Sequence, residues 1–109
     1  MYHVAVDDAV LADIVRCLVD AIDPDRIILF GSRARGDHRP DSDVDLIVIK
    51  ASDDPPGRRD VRAYRALSRL PIPKDVLWYT PEEVKDWAEV RNHVISRALR
   101  EGKVLYEKR

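Results

Sequence analysis

The chain has 109 residues, which suits one domain at the usual roughly 100–200 residues per domain, and its 45% hydrophobic and 36% charged shares suit a folded protein with a polar surface. Nineteen Lys and Arg against twenty Asp and Glu give a net charge of -1, which excludes the overall basic excess of a general nucleic-acid binder. Cys17 is the only cysteine, so an intrachain disulfide and a cysteine-rich zinc module are excluded, and no apolar run reaches membrane-spanning length. We therefore expect a single domain over residues 1–109, without membrane association and in the cytoplasm.

The first predicted element is an amphipathic helix. Apolar residues recur there at three- and four-residue spacing, at Val10, Leu11, Ile14, Cys17 and Leu18. Asp7 and Asp8 precede them and suit a helix N-terminus, by capping and by their charge against the helix dipole. The Asp-Pro-Asp run at 23–25 favours a turn and ends the helix.

Two short apolar runs predict buried strands, at residues 26–30 and 44–49. Gly31 and Ser32 end the first strand abruptly. Alternation along the second strand puts Asp43, Asp45, Ile47 and Ile49 on one face and Val44, Leu46 and Val48 on the other. Two carboxylates, those of Asp43 and Asp45, therefore share a face.

A second helix is predicted over residues 58–70, after a loop at 51–57. One side of this helix carries an arginine stripe, formed by Arg58, Arg62, Arg65 and Arg69. The opposite side offers a core-facing surface, formed by Val61, Tyr64, Leu67 and Leu70. The arginine stripe has two interpretations, a solvated helix face or a docking surface for an acidic partner.

A third strand is predicted over residues 75–79, after the Pro-Ile-Pro turn at 71–73. Thr80 and Glu83 then have the spacing of a capping box, with Pro81 at the first helical position. A helix is therefore expected to start there.

The remaining residues predict further helix and a last strand. Apolar positions over residues 84–99 suit one bent helix or two consecutive helices, and Gly102 provides a C-terminal stop. Residues 104–106 form a possible edge strand.

The segment from Gly31 to Asp45 combines a phosphate-friendly turn with paired carboxylates. Gly31 allows close approach of backbone to a ligand, and Ser32 adds a hydroxyl at the start of a helical turn whose free N–H groups favour anions. Asp43 and Asp45 have Cα atoms about 6.5–7 Å apart on a strand, and their side chains point the same way. Such a pair can bracket metal ions together with phosphate oxygens, and Mg²⁺ prefers those ligands.

Gly31-Ser32, ten intervening residues and then Asp43-Val44-Asp45 resemble the signature of the nucleotidyltransferase superfamily that includes DNA polymerase beta. More narrowly, the two halves of this segment resemble the minimal nucleotidyltransferases, small prokaryotic proteins often paired with a HEPN-domain partner. The resemblance implies an α/β (α+β) fold, with a small mixed sheet of three or four strands flanked by helices and the active site along one sheet edge.

The resemblance also implies roles for individual residues. Asp43 and Asp45 would hold the metals, two Mg²⁺ ions, and Gly31 and Ser32 would position the β and γ phosphates of ATP. The third metal carboxylate of the family sits on a later strand, where Asp75 matches; Asp53, Asp60 and Asp86 fit worse because they fall in predicted loop or helix.

Arg33 and Arg35 lie next to the phosphate turn and have two interpretations. They are candidate nucleotide-binding residues that screen phosphate charge, or they are solvated helix residues.

The activity that the resemblance implies is transfer of a nucleoside monophosphate, AMP from ATP, to an acceptor hydroxyl. In the paired family members the acceptor is a tyrosine of the HEPN ribonuclease toxin, so this chain is expected to act as an antitoxin with adenylyltransferase activity. Two alternatives stay open: a catalytically silent antitoxin or scaffold that neutralises its partner by contact, and transfer to a small molecule of the aminoglycoside type. Homo-oligomerisation is also possible.

Overall fold

The structure, a computed structural model, describes residues 6–109, so the first five residues of the predicted domain lie outside the described part. Nine elements follow one another in that part of the chain. They are α1 (Asp8–Ile22), β1 (Arg26–Phe30), α2 (Ser32–Arg35), β2 (Val44–Ile49), α3 (Pro56–Ala66), β3 (Lys74–Tyr79), α4 (Pro81–Trp87), α5 (Val94–Glu101) and β4 (Lys103–Glu107).

The four strands form one mixed sheet in the order β3-β2-β1-β4. β1 runs antiparallel to both β2 and β4, and β2 runs parallel to β3. The parallel pair needs a crossover connection, which α3 supplies. The predicted small mixed sheet flanked by helices is thus confirmed, and β4 is an edge strand as expected.

Alternation along β2 divides the core between the two faces of the sheet. Val44, Leu46 and Val48 are buried in the larger cluster, which α1 and α3 cover. Ile47 and Ile49 are buried on the other face, in a smaller cluster with residues of α5. The predicted alternation is confirmed for residues 44–49, and it places the side chain of Asp45 on the α5 side of the sheet. Asp43, which was predicted to share this face, lies in the loop just before β2.

Local signals set the ends of the helices. The Asp7 carboxylate accepts a hydrogen bond from the Val10 N–H at 3.0 Å and caps α1, as predicted. Thr80 and Glu83 form the predicted capping box of α4. Two helices, α4 and α5, follow it in place of one bent helix. Within residues 6–109, no helix is both long and apolar enough to cross a membrane.

The α3 helix differs from the prediction in its length and in the side that it buries. It covers Pro56–Ala66 instead of residues 58–70, and a turn region follows it. Val61 and Tyr64, which were predicted to face the core, are 49% and 37% exposed. Arg59 and Ala63 are buried in their place, so the predicted helix face was wrong for this part of the helix.

The ion pair between Arg59 and Glu83 accounts for the burial of the Arg59 side of α3. The two terminal nitrogens of Arg59 donate to the two carboxylate oxygens of Glu83, at 2.6 and 3.0 Å. A two-point pair of this kind offsets much of the cost of burying a guanidinium. Because Glu83 lies on α4, helical periodicity within α3 gave no sign that Arg59 would face inward.

The arginine stripe is exposed as predicted, but only part of it lies within a helix. All four of its residues are exposed, although Arg69 lies beyond the end of α3. Arg62 pairs with Asp54 at 3.2 Å and lies 5.0 Å from the centre of the Trp78 ring. The stripe is therefore a cationic surface that flanks β3.

Candidate active site

Asp45 lies at the centre of the candidate site because of strand register. It is the second residue of β2, and its Cα partners are Phe30, the last residue of β1, and Asp75 of β3. Neighbouring strands lie about 4.8 Å apart, and residues opposite each other in a ladder share a face. The structure therefore brings two predicted carboxylates, Asp45 and Asp75, side by side on the α5 side of the sheet.

Gly31 packs directly against the Asp45 carboxylate. It follows β1 with φ +74°, in the left-handed region that favours glycine, and it precedes the first residue of α2. A Cβ atom at this position would collide with Oδ2 of Asp45 and would lie 3.2 Å from Cγ. The glycine predicted from the sequence thus serves both the turn and the close approach to a carboxylate.

Negative charge is concentrated at this point. Burial raises the pKa of the Asp45 carboxyl above its usual range, and the charges of Asp75 and Asp43 raise it further. Arg35 on α2 acts in the opposite direction. Because each of these contributions falls off with distance, Asp43 and Arg35 also belong to the neighbourhood of Asp45.

The donor set of these three carboxylates suits a hard divalent cation. Asp43, Asp45 and Asp75 offer only oxygen ligands, and a cation would relieve their mutual repulsion. Within residues 6–109, however, no three acidic, His or Cys side chains converge as a closed metal cluster. Mg²⁺ usually binds to one or two carboxylates together with substrate phosphate oxygens, so an open arrangement of this kind fits it better than a closed cluster would.

A hydrogen bond from Tyr64 holds the Asp75 carboxylate. The Tyr64 hydroxyl lies 2.9 Å from Oδ1 of Asp75, and the same hydroxyl oxygen accepts the Val76 N–H at 3.1 Å. Sequence reasoning missed this contact because it assigned Tyr64 to the core-facing side of its helix.

A cleft of about 190 Å³ opens beside Gly31, between α2 and α5. Its lining combines apolar residues with two arginines and one carboxylate: Phe30, Gly31, Arg35, Val94, Arg97, Ala98 and Glu101. Arg35 was predicted as a nucleotide-binding residue and lies in this cleft. Arg97 was not predicted, because α5 lies far from the motif in sequence.

Arg33 takes a different position from the one predicted. Its Nε and one terminal nitrogen donate to the Ser42 carbonyl at 3.1 and 3.0 Å, and the same terminal nitrogen donates to the Pro40 carbonyl at 3.2 Å. The residue is buried, and it lines a separate cavity with Leu29 and Leu105 of the larger core cluster. The solvated interpretation is wrong for Arg33, which is buried and holds the loop that leads to Asp43 through these hydrogen bonds.

Two comparisons at the sequence level point to the same family. The profile described as Polymerase beta, Nucleotidyltransferase matches residues 12–109. A protein of Methanocaldococcus jannaschii, to which a protein adenylyltransferase activity is provisionally assigned, is 37% identical over 65 residues, which are 60% of this chain and 63% of that protein. The matched region thus spans less than two thirds of that relative.

Solved structures share the fold. A chain of a toxin-antitoxin complex with AMP-PNP superposes with a TM-score of 0.64 at 22% identity, over 91% of this chain and 74% of that chain. A provisionally assigned nucleotidyltransferase of Sulfolobus solfataricus gives a TM-score of 0.63 at 20% identity, over 90% and 78%. A chain of the complex between a tri-AMPylated Shewanella oneidensis HEPN toxin and an MNT antitoxin gives 0.56 at 22% identity, over 90% and 70%.

At 20–22% identity, the solved structures establish the shared fold alone. The family assignment rests on the sequence profile, which matches residues 12–109. Gly31 and Asp45 of the predicted signature are in contact, and Asp75, the predicted third carboxylate, lies next to Asp45 on the neighbouring strand. The chain therefore belongs to the Polymerase beta, nucleotidyltransferase family.

Proposed function

We propose that this protein is a Mg²⁺-dependent adenylyltransferase that transfers AMP from ATP to a tyrosine hydroxyl of a HEPN toxin, and that it acts in this way as an antitoxin. The family membership supports nucleotidyl transfer. The relative with an assigned protein adenylyltransferase activity supports a protein acceptor. The fold shared with a complex of a tri-AMPylated HEPN toxin and an MNT antitoxin supports the choice of partner.

The observation that carries the proposal is the contact of Gly31 with Asp45 beside Asp75. A backbone turn that a side chain would block lies against one carboxylate, and a second carboxylate lies next to it on the neighbouring strand. Pure binding to a partner requires neither the unblocked turn nor the crowded carboxylates. Phosphoryl transfer uses both, because its catalysis rests on positioning and on charge stabilisation.

The proposed reaction joins the acceptor to the α-phosphorus of ATP. The tyrosine oxygen forms a bond to that phosphorus, the bond from it to the oxygen bridging to the β-phosphorus breaks, and pyrophosphate leaves. Bound Mg²⁺ would be held by Asp43, Asp45 and Asp75 and would supply charge neutralisation for the phosphate oxygens. Asp75, on the edge strand β3, would stand on the acceptor side.

The cleft between α2 and α5 would receive the nucleotide. Arg35 and Arg97 both line it and offer guanidinium groups for phosphate oxygens. Gly31 and Ser32 start α2 at the boundary between this cleft and Asp45, which suits the β and γ phosphates. ATP as co-substrate and a single unpaired cysteine, Cys17, agree with a cytoplasmic location.

The test is label transfer from α-phosphate-labelled ATP, with Mg²⁺ and the product of the neighbouring gene, which we expect to be the HEPN protein. The matched control carries Asp43→Asn and Asp45→Asn, which keep the size of both side chains and remove their charge. We expect label on the HEPN protein with the unaltered chain, none with the control, and loss of label when the acceptor tyrosine is changed to Phe.

A stable complex without label, after all four triphosphates have been tried, would instead favour a binding-only antitoxin. Label on an aminoglycoside or an RNA end, with none on the HEPN protein, would show that the acceptor is a small molecule or an RNA instead of a protein. Either result contradicts the proposed acceptor.

A further inference from the structure

We propose that Tyr64 is a positioning residue, which holds the Asp75 carboxylate in the orientation that metal binding and transfer require. This inference rests on the proposed function, and it assigns a role to a residue outside the family signature. Tyr64 lies on α3, and its hydroxyl bridges the Asp75 side chain and the Val76 backbone.

The direction of both hydrogen bonds is determined by chemistry. The Val76 N–H can only donate, so the Tyr64 oxygen accepts from it at 3.1 Å. The hydroxyl has one proton, which is then free to be donated to Oδ1 of Asp75 at 2.9 Å. Only the protonated hydroxyl can make both contacts, so this geometry requires the neutral form of the tyrosine.

A second contact of the same kind fixes how α3 sits along the strand. β3 is an edge strand, so alternate backbone N–H groups face away from the sheet. Asp60, one helical turn before Tyr64, accepts the Trp78 N–H at 3.0 Å. Side chains four apart on a helix are about 6 Å apart, close to the spacing of about 6.5–7 Å between N–H groups two residues apart on a strand. Tyr64 and Asp60 thus bind consecutive outward N–H groups.

Anchoring matters because Asp75 is otherwise exposed on the sheet edge. An exposed carboxylate samples several rotamers, and ordering it when a metal binds costs conformational entropy. Tyr64 holds Oδ1, while Oδ2 accepts no hydrogen bond from the described part of the chain. One oxygen is thereby fixed and the other is left available on the face shared with Asp45.

The experiment compares Tyr64→Phe with Asp60→Ala. Each variant removes one side-chain acceptor for an outward N–H of β3, and only Tyr64→Phe also removes the hydrogen bond to Asp75. We expect both variants to lower Tm to a similar extent. Tyr64→Phe should also reduce kcat about tenfold and raise the Mg²⁺ concentration for half-maximal rate, with KM for ATP within about twofold. Asp60→Ala should keep kcat within about twofold.

A double-mutant cycle adds a second criterion. In an Asp75→Asn background, Tyr64→Phe should cause no further loss of kcat, because the positioned carboxylate is already absent. Equal loss of kcat in Tyr64→Phe and Asp60→Ala would show that the hydroxyl only supports the strand edge. Full activity of Tyr64→Phe at limiting Mg²⁺ would overturn the inference as well.

Binding of Mn²⁺ to the full chain with a non-hydrolysable ATP analogue, measured by electron paramagnetic resonance, separates this inference from the proposed function. If no acceptor receives label, the proposed function fails, yet weaker Mn²⁺ binding by Tyr64→Phe than by Asp60→Ala still supports the positioning role. Equal Mn²⁺ affinity in the two variants, or no Mn²⁺ binding by the unaltered chain, overturns it whichever acceptor is correct.

Discussion

The close contact between Gly31 and Asp45 restricts which substitutions either position can accept. Gly31 combines a positive φ with a contact to the Asp45 carboxylate that leaves no room for a Cβ atom. Asp45 in turn lies between the charges of Asp43 and Asp75, which raise the pKa of its carboxyl. Glycine is therefore the residue that this turn and this contact admit, and Asp45 carries a repulsion that a bound cation would relieve.

Gly31→Ala should remove activity and weaken the fold. The left-handed conformation and the collision with Asp45 together should cost about 1–3 kcal/mol of unfolding free energy, measured by urea titration. Label transfer should fall to background, because Asp45 must move. Gly57→Ala is the matched control, since a Cβ there meets nothing within 4 Å and the residue lies in α3. Equal behaviour of the two variants would contradict the role of Gly31.

Asp45→Asn should stabilise the protein while it abolishes transfer. The folded-state pKa of Asp45 is raised, so this carboxyl lowers native stability as the pH rises above the unfolded value of 3.8. Removal of the charge should therefore raise Tm by a few degrees without Mg²⁺. Addition of Mg²⁺ and ATP should narrow the gap in Tm, since under the proposed function only the unaltered chain would bind the metal there. Asp53→Asn in an exposed loop controls for loss of one negative charge; a drop in Tm for Asp45→Asn would contradict this account.

Among the secondary-structure elements, α3 makes side-chain contacts with both β3 and α4. Its buried side carries Arg59 to α4, its strand-facing side carries Asp60 and Tyr64 to β3, and its remaining side carries the arginine stripe. The stripe lies on the helix that anchors Asp75, on the acceptor side of the proposed site. An acidic surface of the acceptor protein would thus be guided toward Asp75.

Reversal of two charges of the stripe, Arg58→Glu with Arg65→Glu, tests this docking. Both arginines are exposed and neither forms an ion pair within residues 6–109, so the change breaks no internal ion pair. The complex with the HEPN protein should weaken about tenfold at low salt, and the difference should shrink as ionic strength rises. Arg91→Glu with Arg100→Glu is the control with equal charge outside α3. Unchanged affinity of the stripe variant would leave a solvated helix face as its interpretation.

The ion pair that joins α3 to α4 predicts a pH dependence of stability. Arg59 and the capping-box hydrogen bonds lower the pKa of Glu83 from 4.5 to about 2. A lowered folded-state pKa stabilises the protein above the unfolded value, and this contribution is lost as the pH falls from about 4.5 toward 2. The difference in unfolding free energy between the unaltered chain and Glu83→Gln, from urea titrations, should therefore be constant above pH 5 and shrink below about pH 4.5. A difference that stays constant down to pH 3 would contradict the assignment.

At the scale of the whole molecule, one sheet carries cores on both faces. The larger cluster lies under α1 and α3, and the smaller one lies under α5. Strands β1 and β2 each contribute side chains to both clusters. We therefore expect that the core on one face cannot unfold while the core on the other face stays intact. The candidate site lies where β1 ends and β2 begins, so it depends on the same strands.

A single cooperative unfolding transition is therefore expected. Trp78 is buried in the larger cluster, whereas Trp87 on α4 is exposed and stacks on His93 at 4.4 Å. Urea titrations followed by fluorescence of Trp78 alone, in Trp87→Phe, and by far-ultraviolet circular dichroism should give one midpoint. Separate midpoints would show that the two sides of the sheet unfold independently, against a single domain.

The local parts of the site could be predicted from the sequence because short-range rules govern them. Gly31, Asp43 and Asp45 lie within the segment from the end of β1 to the start of β2, where the spacing of the motif is local and the two-residue period of β2 determines the face of Asp45. The capping box at Thr80 depends on residues three apart. Asp75 required the family resemblance, because its place beside Asp45 depends on the parallel register of β2 and β3.

The roles of Arg59, Tyr64 and Arg97 could not be predicted by such rules, because the packing of distant elements decides them. Their partners are Glu83 for Arg59, the edge of β3 for Tyr64 and the cleft beside Gly31 for Arg97. Arg33 has nearby partners, but it depends on the folded shape of the loop, whose carbonyls it binds. A prediction from helical periodicity places an arginine on the exposed side of a helix and a tyrosine on the apolar side. A partner elsewhere in the fold can bury the arginine or give the tyrosine hydroxyl a polar role. Sequence spacing alone therefore places the phosphate turn and the first carboxylates, while long-range contacts place the groups that surround and orient them.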